Sequence, residues 1–366
     1  MDIPFWAPGR TYQTHKQEIL AAIDRIASAG QLVAGEYGKD IAHVESRLKE
    51  MLEVKHFILT GSGTQSLFLV YKNLLQPGDE VITTSHTFVA TIDQIKAVGA
   101  IPVFVDIDDT GLIDPMEVEK AITPKTKMIV PVHLEGKVCD MESIMSIAKK
   151  HNLFVVEDAC QALGAITENW PRKKAGSIGI AGCFSFYPAK IFGSLGNLGG
   201  VATNDDELAK KVRDMSSSYR FAKLEDRGWG YNLEPDNLQA AVLNAKWDKL
   251  SSYWVQRSRI AEKYNEAFAD LPIVLPLKQF GRVYQDYVIR VPERKEEFCA
   301  HLKENGVGIL GHDLVPNHKY PLLGFDVSLP KTEQYMVEQV RIPCTPDHTD
   351  EEISYVIKVI REFYGR

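Results

Sequence analysis

The sequence predicts an α/β protein whose large domain holds a mostly parallel sheet, followed by a smaller α+β domain, and three observations carry this. Seven short runs rich in β-branched and aromatic residues between positions 50 and 205, "HFILT", "EVITT", "IPVFVDI", "KMIVPV", "LFVVEDA", "CFSFY" and "GGVATND", alternate with helical patterns. That rhythm is the signature of parallel strands joined by helical crossovers. At 366 residues the chain exceeds the roughly 250 to 300 at which single cores stop growing. From Asn237 to about Asp270, after Pro235 and Asp236, apolar residues recur at helical spacing, which reads as one or two long helices leaving the large domain. The remainder, with "VYQDYVIRV", "EEFCAHLKENG" and "DEEISYVIKVIREFY", completes the small domain. The division is placed between residues 1–245 and 246–366.

Composition excludes several function classes. A formal net charge of -7 gives no overall basic field, so no nucleic-acid partner is expected. The five cysteines, Cys139, Cys160, Cys183, Cys299 and Cys344, are odd in number and form no CxxC pair. That argues against a disulfide framework and structural zinc, and for a cytoplasmic protein without a metal site. No run reaches the ~18 apolar residues of a membrane span, and "MDIPFWAPGRTY" lacks the pattern of a secretory leader.

The predicted strands end in polar residues: Thr60, Ser85, Asp106, His133 and Asp158, with Lys190 just beyond the sixth run. Ligands of open α/β sheets collect outside the carboxyl ends of strands. In "ILTGSGTQSL" a strand meets a glycine turn and then a helix. Free N–H groups and the positive end of the helix dipole suit a phosphate there, although Gly and Ser also punctuate such turns for purely structural reasons. The turn is neither a Walker A loop nor a GxGxxG fingerprint. Glu157-Asp158 closes an apolar strand, either as a helix cap or as a carboxylate for a cationic cofactor group. Lys190 sits between "CFSFYPA" and the glycine-rich "GSLGNLGG". A lone lysine is normally a solvated surface group, but a partly desolvated one becomes a Schiff-base nucleophile.

Taken together, "GSGTQSL", "SHTFVAT", "VPVHLEG", "VEDACQALGA", "SFYPAKIFGSLGNLGG" and "GYNLEPDNLQAAVL" resemble the DegT/DnrJ/EryC1/StrS family of nucleotide-sugar aminotransferases. These are pyridoxal-phosphate enzymes of fold type I, the aspartate aminotransferase fold, and the resemblance runs from "IPFWAPG" to "IPCTPDHTDEEI". It implies that Lys190 forms the internal aldimine and moves the proton, which requires a neutral fraction of its amine. By the same resemblance, Asp158 pairs with the pyridine nitrogen and Gln161 hydrogen-bonds the ring's 3-hydroxyl. Phe88 stacks on the ring, while Gly63, Thr64 and Ser185 hold the phosphate. Asn232 reaches the phosphate of the neighbouring subunit's cofactor, which implies a homodimer with active sites at the interface. Tyr187, His312 and His318 are the implied substrate contacts, and His133 matches a histidine behind the cofactor or is a satisfied core residue.

Members of the family that dehydrate carry histidine at the lysine position, so Lys190 implies transamination. L-glutamate loads the cofactor as pyridoxamine 5'-phosphate, and a keto-sugar nucleotide then receives the amine in amino-sugar biosynthesis of the O-antigen lipopolysaccharide kind. Gln161, where the C4-specific subgroup often has histidine, points to C3 of a dTDP-3-keto-6-deoxyhexose. The alternatives are C4 of a UDP-, dTDP- or GDP-4-keto-6-deoxyhexose, or C3 of a UDP-3-keto sugar. A regulator that kept the fold and lost turnover is the competing class. The chain departs from the family pattern in "HDLVPNH", with Asp313 and Leu314, and in "GYNLEPDN", with Leu233 and Glu234. Both departures bear on sugar and diphosphate contacts.

Overall fold

The computed structural model of the protein describes residues 1–35, 38–168 and 172–366. All seven runs form strands of one sheet: β1 (His56–Thr60), β2 (Glu80–Thr84), β3 (Ile101–Val105), β4 (Thr126–Val130), β5 (Phe154–Asp158), β6 (Ala181–Ser185) and β7 (Gly199–Thr203). Their spatial order is β1-β7-β6-β5-β4-β2-β3. Only β7 departs from the common direction, running antiparallel to β1 and β6. Ile82, Ile129 and Val156 are fully buried, as a sheet covered by helices on both faces requires. The crossover helices begin where sequence places a cap. Ser62 Oγ accepts from the Gln65 N–H (3.2 Å) at the start of helix Gly63–Leu74. Asp140 and Asp205 do the same for helices Met141–His151 and Asp206–Ser216, each satisfying a donor the helix leaves orphaned.

The glycines after Lys190 serve the close approach of backbone to backbone. A Cβ on Gly199 would lie 2.2 Å from the Ser62 carbonyl carbon, and one on Gly193 would lie 2.6 Å from the carbonyl oxygens of Tyr187 and Pro188. No side chain fits at either point. β7 therefore presses onto the turn that opens helix Gly63–Leu74, and the loop after Lys190 folds back on the segment before it.

A second core surrounds the antiparallel pair β8 (Tyr287–Arg290) and β9 (Gln339–Ile342), with residues from helices Lys295–Glu304 and Asp350–Phe363. The predicted helical stretch after Asp236 is two helices, Asn237–Lys246 and Leu250–Ala267, separated by a 3-10 turn. Leu250 and Tyr253 of the second helix pack in the large core, whereas Ile260 and Tyr264 pack in the small one. The cores thus part within this helix, beyond residue 245. Ile3 also joins the small core, bridged in parallel to Val307.

Candidate active site

A cavity of about 550 Å³ lies beyond the carboxyl ends of β5 and β6, and its wall includes Gly63, Thr64, Phe88, Asp158, Gln161, Ser185, Tyr187 and Lys190. Eight of the eleven predicted site residues are thereby brought together. The start of helix Gly63–Leu74 forms one part of the wall. A Cβ on Gly63 would meet Cys160 Sγ and Ser185 Cβ at 2.9 Å, so only glycine lets the turn close onto these neighbours while Thr64 and Ser185 present hydroxyls to the cavity.

Adjacent residues of β5 do different work because strand side chains alternate. Glu157 is fully buried and accepts from the N–H groups of Gly176 (2.7 Å), Ile178 (2.6 Å) and Gly179 (2.8 Å). It also pairs with His133 Nε2 (2.9 Å), whose Nδ1 accepts from the Cys139 N–H (3.2 Å). His133 is therefore a satisfied core histidine. Asp158 instead lines the cavity. Its Oδ2 accepts from Thr91 Oγ1 (2.7 Å) and its Oδ1 from the Cys160 N–H (3.2 Å). Both donors are neutral, and no cation of the described residues pairs with this carboxylate. A buried anion in that state is an invitation to a cationic ligand group.

Lys190 is held through its backbone. Its N–H donates to the Tyr187 carbonyl (2.8 Å). Gln285 brackets it, donating from Nε2 to the Ala189 carbonyl (2.9 Å) and accepting at Oε1 from the Ile191 N–H (3.0 Å). Gln161 is fixed from behind, where its Oε1 accepts from the Glu135 N–H (2.8 Å), leaving its NH₂ group for a ligand. Glu135 is fully buried in the left-handed region at φ 59°. Burial pushes its carboxyl up, but Lys137 (3.0 Å) and Arg282 (3.5 Å) outweigh this and hold it at about 2.

Three predicted residues lie elsewhere. His318 is buried with both ring nitrogens engaged, Nδ1 with Ser85 Oγ (2.8 Å) and Nε2 with Glu333 (3.1 Å). Its neighbour Asn317 donates to the carbonyls of Ser85 (2.9 Å) and Thr87 (2.7 Å). The "HDLVPNH" loop is thus stitched to the segment that carries Phe88, and His318 anchors that segment rather than facing the cavity. His312 meets Lys303 (2.8 Å), and burial together with that lysine lowers its pKa. Asn232 is exposed outside the cavity of its own chain, bridged to Ser217. Among the other strand-end residues, Thr60 bonds Ser66 (2.8 Å). Asp106 accepts from the Lys331 (2.9 Å) and Thr332 (2.8 Å) N–H groups of another helix. Sequence reasoning missed Thr91, although it closes the quoted motif "SHTFVAT", and Gln285, for which no motif gives a signal.

A helix N-terminus with hydroxyls for an anion, a carboxylate without a cation, a lysine amine and an aromatic ring form a donor set that fits pyridoxal phosphate. Residues 13–361 match the model of the DegT/DnrJ/EryC1/StrS aminotransferase family. The chain belongs to this family. It is a sugar aminotransferase with pyridoxal phosphate as cofactor. Relatives span it end to end. It is 37% identical to dTDP-3-amino-3,6-dideoxy-alpha-D-galactopyranose transaminase of Aneurinibacillus thermoaerophilus, over 99% of each chain. It is 39% identical to the "Pleiotropic regulatory protein" of Geobacillus stearothermophilus, over 100% of this chain and 99% of that one. The crystal structure of DesV from S. venezuelae, in complex with a ketimine intermediate, superposes with a TM-score of 0.93 at 34% identity, covering 100% of this chain and 99% of that one.

Proposed function

We propose that this aminotransferase moves the amino group of L-glutamate to C3 of a dTDP-3-keto-6-deoxyhexose, with Lys190 as the residue that attaches the cofactor and transfers the proton. The observation that carries the catalytic part is the meeting of Lys190, the unpaired Asp158 carboxylate and the Gly63-Thr64 turn in one cavity. When bound, the cofactor supplies an electron sink conjugated to the amine-bearing carbon. The chain's residues do the rest. Asp158, oriented by the Thr91 hydroxyl, keeps a proton on the heterocyclic nitrogen, while Gly63, Thr64 and Ser185 bind the phosphate. Gln161 donates to the ring hydroxyl and Phe88 covers the ring face. Lys190 Nζ takes the proton from the donor's α-carbon, and in the second half-reaction delivers one to the sugar carbon that gains the amine. Two half-reactions at one site give ping-pong kinetics.

Gln161 and the 37% identical relative, a dTDP-3-amino sugar transaminase, support C3 and dTDP. Amination at C4, or of a UDP-3-keto sugar, is the alternative regiochemistry or nucleotide. We also propose a cytoplasmic homodimer. Phe221, Leu224 and Trp229, within one short stretch of chain, are 62%, 82% and 97% exposed, and exposed large apolar side chains suit an interface. Asn232 follows shortly after in sequence, and in this reading it completes the partner's site.

The test is a visible absorption band in the protein loaded with pyridoxal phosphate, bleached by glutamate and missing from a folded Lys190→Ala variant. NMR then identifies the product from 3-keto and 4-keto nucleotide sugars. A folded wild type that stays colourless refutes the catalytic reading. Amination only at C4 refutes the substrate reading alone. A coloured protein that aminates no keto sugar supports instead a regulator, the role that the name of the 39% identical relative gives to that protein.

A further inference from the structure

Glu135 forms a sharp turn behind Gln161, with a backbone that its residue type does not favour. It lies in the left-handed region (φ 59°, ψ 18°) and is followed by Gly136 at φ 81°. A residue with a side chain persists in that region only where its surroundings hold it there. The groups that hold it come from distant parts of the chain. Glu135 Oε2 pairs with Lys137 Nζ (3.0 Å) and Arg282 Nη2 (3.5 Å), and Oε1 accepts from the Tyr335 hydroxyl (3.3 Å). All four residues are buried. Tyr335 is itself wedged in place, its ring 4.7 Å from that of His86 and 2.8 Å from where a Cβ on Gly111 would lie. Among the described residues, Lys137 and Arg282 pair with no carboxylate but Glu135, and Asp286 is spent on Arg341 (3.0 Å). Backbone closes the turn from the other side. Val283 N–H donates to the Gly136 carbonyl (3.0 Å), and a Cβ on Gly136 would lie 2.8 Å from the Tyr284 and Gln285 nitrogens. A buried ion cluster thus converges on the residue whose N–H holds Gln161 Oε1 (2.8 Å).

We propose that Glu135 is a positioning residue for the cofactor ring: its carboxylate, gripped by Lys137, Arg282 and Tyr335, fixes the turn that aims the Glu135 N–H at Gln161 and so turns the Gln161 NH₂ toward the ring hydroxyl. The inference rests on the roles given above to Gln161 and Lys190. A side-chain amide has a donor end and an acceptor end, and the Glu135 N–H selects which of them the cavity receives. When the cofactor is attached through Lys190, the ring oxygen and the linkage nitrogen share a proton. An N–H donated to that oxygen stabilises its negative charge and weakens its hold on the proton, so the chromophore titrates at lower pH. Loss of the donation raises that pH. Direct action of the Glu135 charge has the opposite sign, because removing a buried anion disfavours a nearby proton. The two routes are therefore separable by direction.

The experiment is a spectroscopic pH titration of the lysine-bound chromophore in the holoenzyme. Gln161→Ala should raise its midpoint by about one pH unit, the worth of one hydrogen bond to a charged oxygen. Glu135→Gln should raise it by the larger part of that shift, and should add nothing in the Gln161→Ala background, as a double-mutant cycle requires of residues that act through one another. Because Glu135→Gln strands two buried cations, Glu135→Gln/Lys137→Met repeats the titration with the charge of the pair balanced. Tyr335→Phe removes one hydroxyl from the carboxylate and should shift the midpoint upward by less; it carries the test if neither Glu135 variant folds. A midpoint unmoved or lowered by the Glu135 variants, with Gln161→Ala raising it, would overturn the proposal and leave the role of Gln161 standing. So would an upward shift of equal size with and without Gln161. If Gln161→Ala itself leaves the midpoint unmoved, the ring contact of Gln161 fails and the proposal falls with it.

Discussion

On the sheet side of Lys190, Asp158 and Gln161 are held by neutral hydrogen bonds from Thr91, Cys160 and Glu135. On the other side, Arg257 and Lys246 are buried cations without an ion pair among the described residues. On the proposed function, the difference follows from what each side binds. A resident cofactor is best served by groups already aimed at it, since their reorganisation would otherwise tax every turnover. Two substrates that alternate in one site leave and return, so the wall that receives them carries charge that is completed only when a ligand is present. The ordered side should therefore fail uniformly when damaged, and the cationic side selectively.

The largest effect is expected at Asp158, after loss of Lys190 itself. Replacing Asp158 with Asn removes the charged partner proposed for the cofactor's cationic nitrogen, which costs about 3–5 kcal/mol, or ~10²–10⁴-fold in kcat. Both half-reactions should slow together in single-turnover measurements. A variant impaired with glutamate alone would break the contrast between the two sides.

Gln285 comes next, because it bridges them. It arises from the entry to β8 yet fixes the backbone on both sides of Lys190. Gln285→Ala removes two hydrogen bonds, together about 1–3 kcal/mol, with roughly tenfold lower kcat and a shifted pH dependence of the lysine-bound chromophore. The loss should be equal for amino acid and sugar. An unchanged chromophore titration would show that Gln285 contributes packing only.

The same contrast explains which parts of the site are visible in sequence. Gly63, Thr64, Asp158, Ser185 and Lys190 each follow or end a strand, so strand-like runs and short motifs place them at one edge of the sheet before any contact is known. Gln161 lies three residues after Asp158 and comes with it. Arg257 and Gln285 come from a helix and a strand entry, and no spacing in the chain connects them. His318 misleads for a related reason. A histidine in a polar loop reads as a ligand contact, but its partners Ser85 and Glu333 lie 233 and 15 positions away, and only the folded arrangement shows that both nitrogens are spent. The seven strands, being buried on both faces, are legible from their runs of apolar residues alone. The parting of the cores within helix Leu250–Ala267 is not, because a helix that serves two cores has no break in its pattern.

The smallest effect on turnover is expected at Lys246, whose replacement instead isolates, in stability, the cost of the cationic side. Lys246 is 4% exposed, donates to the Gly193 carbonyl in the loop after Lys190, and lines a further cavity of about 360 Å³ with Lys190 and Arg257. Burial lowers its pKa to about 8 from the 10.5 of an ordinary lysine. Below pH 8 the folded protein carries a desolvated ammonium. Between pH 8 and 10.5 the unfolded chain holds a proton that the folded one has released, so the contribution of this group to stability rises with pH across that window. The full rise is about 3 kcal/mol. Urea unfolding of wild type and Lys246→Met at pH 7.5 and pH 10 should show the variant gaining on wild type at the lower pH and losing that advantage at the higher. Curves that stay parallel would mean that Lys246 is already compensated, and that the charge imbalance around Lys190 is confined to Arg257.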